Sequence, residues 1–283
     1  MRFRLLAASV LALGFVTLPA SAYTAYLLPR DFTPDTGAAV QVEAAYGTQF
    51  FAPVVGLSGP DMHVVSPSGA RDTFTAQDVS NQRGIYDVSL GSEGTYRVTT
   101  GEILGPVTQM VVENGAWRAL AQGETPPEGA DTTTLQTDTV ADTYFSRVRP
   151  SNQAQALVIG HLAIQPITHP NRISVATGFE VQVMLDGQPL PNMAVVLYTA
   201  GDPETKLDRF VTTDANGHAT FTFTTPGTYI AVVRHRANAP TGSDAAVRSY
   251  TTSLTFEVMQ DLPAIPPPPR EDRQRRRDNP WRH

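Results

Sequence analysis

Cysteine is absent from this chain of 283 residues. That excludes disulfide bonds, thiolate nucleophiles and cysteine metal sites, and it leaves stability to apolar burial. Charge is sparse and weighted to the acidic side. Only 17% of residues are charged, and 27 Asp and Glu against 21 Lys and Arg give a net charge of −6. An acidic body does not suit nucleic acid as the main partner. Beyond residue 22 no run approaches the ~20 apolar residues of a membrane-spanning helix. No stretch shows a 3.6-residue apolar period, so amphipathic helices are not expected. Short catalytic signatures are missing as well. There is no His-Glu-x-x-His pair and no glycine-rich phosphate loop, and Gly56-Leu57-Ser58-Gly59 departs from the nucleophile elbow. Catalysis would need a dispersed site, so the expectation is a protein that is not an enzyme.

Alternation of apolar and polar residues is abundant, and so are turns. Phe179, Val181, Val183 and Leu185 share one face, with Glu180, Gln182 and Asp186 opposite; Ala219, Phe221 and Phe223 alternate with Thr220, Thr222 and Thr224. This period of two, rich in β-branched and aromatic residues, predicts half-buried antiparallel strands. Asp186-Gly187, Gly201-Asp202-Pro203, Asn216-Gly217 and Pro226-Gly227 punctuate the runs. Asn216-Gly217 between two alternating runs predicts a hairpin. Gly227-Thr228-Tyr229 opens a strand in the manner of a tyrosine corner, and Gly94-Thr95-Tyr96 echoes it. Shorter strands with frequent turns fill the first half, including the hairpin of Asn114-Gly115. The expected fold is all-β: two β-sandwich domains, the second transthyretin- or prealbumin-like.

The boundaries follow composition. Arg2 and Arg4, an apolar run from Leu5 to Leu18 and Ala20-Ser21-Ala22 read as a secretory signal peptide over residues 1–22, with the mature chain starting at Tyr23 in the periplasm. The N-terminal sandwich is expected over 23–120. Residues 121–152, rich in Thr, Pro, Gly and acids at their start, read as a linker, within which Val140 to Val148 fits a short helix or a strand. The C-terminal sandwich is expected over 153–259. Residues 260–283 carry a proline run and six arginines against four acids, a composition that predicts disorder. A basic tail on an acidic body suits an acidic partner or an anionic membrane surface, or simply solvent.

Several pieces together resemble one family. Tyr26-Leu27-Leu28-Pro29 with Phe32, Asp61-Met62-His63-Val64-Val65 before Pro67-Ser68-Gly69, and Ile164-Gln165-Pro166 with Asn171 come first. Asp186 to Leu190, Thr213 to Gly217, Pro226 to Tyr229, His235 and Leu254-Thr255-Phe256 follow. In order and spacing these resemble the DUF4198 periplasmic proteins, grouped with the NikM/NikK-like accessory components of nickel and cobalt uptake. The resemblance implies a partner in a metal uptake system, with Ni or another transition metal as the ion concerned. The runner-up is a binding or adhesion module for a receptor, a glycan or an outer-membrane partner. Two positions depart from the family pattern: Tyr23 stands where a histidine often follows the cleavage site, and Leu162-Ala163-Ile164 has no carboxylate where the family often has one.

Imidazole is the usual nitrogen ligand for such metals. The chain has six histidines, none at a local chelating spacing. His161 and His169 flank one strand and are the candidates to meet His235 across a sheet as metal ligands; the alternative is that each bonds neighbouring backbone. Tyr46, Phe50, Phe51 and Trp117 are candidates for a ligand groove or for core packing.

Overall fold

The structure is a computed structural model that describes residues 23–35 and 37–267. Residues 1–22, read above as a signal peptide, and the arginines of the tail lie outside the described residues. The described residues form strands and no helix. In chain order the first half holds β1 (Thr24–Pro29), β2 (Ala39–Gly47), β3 (Val55–Gly56), β4 (His63–Val65), β5 (Arg71–Asp72) and β6 (Ala76–Val79). It continues with β7 (Gly84–Ser89), β8 (Gly94–Thr99), β9 (Ile103–Leu104), β10 (Thr108–Glu113) and β11 (Ala116–Ala119). The longest strand, β12 (Thr132–Arg147), follows. The second half holds β13 (Leu162–Pro166), β14 (Phe179–Leu185), β15 (Gln188–Pro189), β16 (Ala194–Thr199), β17 (Phe210–Thr212), β18 (His218–Phe221), β19 (Gly227–Asn238) and β20 (Val247–Val258).

These strands make three sheets. The central one has 11 strands and runs β17-β16-β19-β20-β12-β8-β4-β5, with β9 and β10 also paired to β12 and β11 paired to β10. A 5-stranded sheet of β1, β2, β3, β6 and β7 and a 4-stranded sheet of β13, β14, β15 and β18 complete the fold. Two sandwiches result, and they share the central sheet. One core joins Leu27, Val42, Tyr86 and Val98 to Ala141 and Phe145 of β12. The other joins Phe179, Val183, Phe221 and Phe256 to Tyr144 of β12. Even-numbered side chains of β12 thus serve one core and odd-numbered ones the other, as the pleat requires. A smaller cluster seals the first sheet to the C-terminal half through Tyr26, Phe50, Tyr198 and Ile230.

The stretch 121–152, read from composition as an exposed connection, therefore contains the strand on which both halves meet. Leu135–Thr143 of β12 pair in parallel with Val247–Thr255 of β20. Two physical reasons hide it: Thr132–Thr137 are mostly polar and exposed or half-buried, as a connection would be, and Val140–Ser146 are buried on both faces, which removes the alternation of a half-exposed strand. Two of its buried polar residues are satisfied internally: Asp142 meets Arg97, and Thr143 Oγ1 donates to Thr255 O.

Asn216-Gly217 is a second correction. It does not close a hairpin: β17 pairs with β16 in the central sheet, whereas β18 pairs with β14 in the opposite layer. Asp214 Oδ1 accepts from the amides of Asn216 and His218, which shapes a layer-crossing turn. Gly217 has φ +75°, and a Cβ there would sit 2.5 Å from Val183 O, so the tight approach to β14 needs glycine.

Candidate binding cleft

A cleft of about 510 Å³ opens where the first sheet crosses the ends of β19 and β20. Its floor comes from β1 and β2, and one wall is the loop after β1. Asp31 Oδ1 accepts from Thr33 N in that loop, and Phe32 O accepts from Ser146 N and Asn171 Nδ2, which fastens it to β12 and to the second half. Three carboxylates, Asp31, Glu43 and Glu257, line the cleft with one cation, Arg30. Glu43 is oriented by the Tyr26 hydroxyl, which donates to its Oε1 at 2.8 Å. Burial first, and Glu43 second, hold the Tyr26 phenol well above its ordinary range, so it remains a donor. Burial, with Asp31 adding repulsion, also raises the Glu257 carboxyl. Arg83 Nη1 reaches Glu43 Oε2 at 3.8 Å, so three carboxylates face two guanidiniums, and the residual negative charge favours a cation bearing N–H donors.

A second polar group lies at the other end of the C-terminal sandwich. His161 Nδ1 donates to Asp186 Oδ1 at 2.5 Å, and its backbone N–H donates to Glu102 Oε1 at 2.8 Å. The Asp186 partner, more than the burial that opposes it, raises the His161 imidazole. Asp138 of β12 and Arg248 of β20 are buried beside it.

The three histidines proposed as ligands are not assembled. His161 and His169 stand at opposite ends of β13, and His235 lies opposite Tyr250 on β19. Both nitrogens of His169 are committed. Nδ1 accepts from Asn171 N, while Nε2–H faces Ser151 O at 3.1 Å and Thr95 Oγ1 at 3.0 Å. Burial lowers the pKa of His169 and that of His235, which keeps both neutral. His63 donates to Asp61 O and His218 to Glu180 Oε1. Among the described residues no group of three or more His, Asp or Glu is arranged to hold a metal ion. The implied metal therefore does not fit the described residues. Of the aromatic groove candidates, Phe50 is core: its ring centroid lies 4.4 Å from that of Tyr198. Asp31, Glu43 and Glu257 escaped sequence reasoning because isolated acids on strands and loops look like any solvated acid; only the crossing of two sheets brings them together.

The D0-D1 domain of Intimin is a solved structure that matches at 16% identity over 81% of this chain and 96% of that chain, with a TM-score of 0.21. No curated protein matches. The sequence profile described as "Domain of unknown function (DUF4198)" matches residues 20–237, from before β1 into β19. The match spans most of the chain and strands of all three sheets, and the protein belongs to the DUF4198 family.

Proposed function

We propose that the protein is a non-enzymatic periplasmic binding module that receives a cationic group, a guanidinium or ammonium carried by its partner, in the cleft of Asp31, Glu43 and Glu257. The observation that carries this reading is the half-buried Glu257, whose carboxyl is raised by burial and by Asp31. A cation seated there would favour the ionised carboxylate, so binding releases a proton and tightens as pH rises through the Glu257 titration. The periplasmic placement rests on the leader-like residues 1–22. The resemblance to accessory components of nickel and cobalt uptake extends the reading to a protein partner in such a system. Since the described residues do not form a metal site, that role is one of contact with the partner and not of ion holding.

Titration calorimetry with a tri-arginine peptide near pH 7 and near pH 5 tests the reading, with Ni(II) as a separate arm. Peptide binding that weakens in acid and with added salt, and falls roughly tenfold or more in Glu257→Gln, is the expected result. Binding indifferent to Glu257→Gln would overturn the cleft assignment. Tight Ni(II) binding would overturn the contact-only role.

A further inference from the structure

Asp138 is 3% exposed, and neither carboxylate oxygen has a hydrogen-bond partner among the described residues. Arg248 on the adjoining strand is 6% exposed, yet it turns its Nη2 to Ser243 Oγ at 2.9 Å and leaves Nε and Nη1 buried without partners. Buried charged groups in native folds are almost always paired, so a carboxyl and a guanidinium left apart on neighbouring strands require a reason. The groups facing Asp138 are Glu102 from the β8–β9 connection, Arg248 from β20 and His161 from the start of β13. Asp186 of the β14–β15 turn holds His161, and the Tyr250 ring of β20 lies 6.1 Å from the His161 ring. Glu102 belongs to the N-terminal half, and through the His161 N–H it grips the C-terminal half. The segment before His161 is closed tightly: a Cβ on Gly160 would sit 2.8 Å from Val140 Cγ2, and Leu157 O accepts from Arg97 Nη1.

We propose that Asp138 works against Glu102 as a proton-operated latch between the two sandwiches: as a neutral acid Asp138 lies buried beside the strand pairing that brings Glu102 under the 156–161 segment, and its ionisation drives Glu102 and that segment away. Burial, then the Glu102 charge, push Asp138 up to about 7, against partial relief from Arg248 and His161. Its folded value therefore exceeds its unfolded one. The stabilising contribution is complete in acid below the unfolded value, near 4, and is lost as pH rises through about 7. His161 is also raised, so the His161–Asp186 ion pair weakens in the same direction.

Hydrogen exchange of the full mature chain near pH 5.5 and near pH 8.5, corrected for the chemical pH dependence of exchange, reads the latch. Protection of residues 100–105 and 156–161 should fall roughly tenfold or more at the higher pH, beyond any change in the β1–β2–β7 core. Asp138→Asn keeps the shape, removes the titration, and should abolish most of that fall. Wild-type protection that does not change with pH, or an Asn variant that falls as the wild type does, would overturn the latch. Carboxyl carbon NMR of the wild type gives a check independent of the variant's folding: a midpoint near 7 for Asp138 supports the proposal, and one near 4 ends it.

Discussion

Arg97 is almost wholly buried on β8, and its guanidinium meets Asp142 of β12 through two hydrogen bonds, 3.0 Å from Nε and 2.7 Å from Nη2. Nη1 donates to Leu157 O, and the Tyr144 ring lies 5.4 Å away. Burial by itself would lower the arginine pKa; Asp142 outweighs it, so the guanidinium stays charged. Taking two charges out of water cancels much of their attraction, but leaving one of them alone is worse. Arg97→Met should therefore cost ~3–5 kcal/mol in chemical denaturation. Arg97→Met combined with Asp142→Leu should recover most of that loss, and equal, additive losses would contradict the pairing. Nothing near Arg97 in the chain announces this. Gly94-Thr95-Tyr96-Arg97-Val98 reads as an ordinary strand start, and Asp142 sits in a stretch whose composition suggested a connection. The carboxylates of the cleft were hidden for the same reason, since the residues that raise or orient them are distant in sequence.

At the scale of elements, local turn chemistry was legible where both flanking strands stay in one sheet. Asn114-Gly115 and Asp186-Gly187 each have two positive φ values, the hairpin geometry that their sequences predict. Asn216-Gly217 has the same residue types and a different outcome, because the Asp214 carboxylate and the partner strand β14 carry the chain into another layer. Both Gly-Thr-Tyr copies are tyrosine corners: Tyr96 OH donates to Ser92 O and Tyr229 OH to Thr225 O, each at 2.8 Å. They anchor β8 and β19, the antiparallel neighbours of β12 and β20, so the echo in sequence marks equivalent places on the two sides of the parallel pair. Tyr96→Phe and Tyr229→Phe should each lose ~1 kcal/mol. The losses should add in the double variant, because the sites share no partner. A midpoint shift in urea unfolding for one and none for the other would show that only one corner bears on stability.

At the scale of the molecule, the shared strand decides what can fold alone. A fragment of residues 156–259 lacks β12, and so it exposes the edge of β20 and removes Tyr144 from the second core. An unpaired edge of that length is a template for aggregation. A fragment of residues 131–259 restores the strand. The longer fragment should show a β-type circular dichroism spectrum and one cooperative melt, and the shorter one should melt broadly or aggregate; equal cooperative melts would mean that β12 is dispensable. Period-two alternation, the turn residues, the two tyrosine corners and the lack of cysteine were enough to determine an all-β chain built on apolar cores, because each of those signals acts over a few residues. The sharing of β12 by both cores, the layer crossing at Gly217, the dispersal of His161, His169 and His235, and the gathering of Asp31, Glu43 and Glu257 were decided only by tertiary structure. Each depends on which sheet a strand joins, and that choice is made by partners tens of residues away.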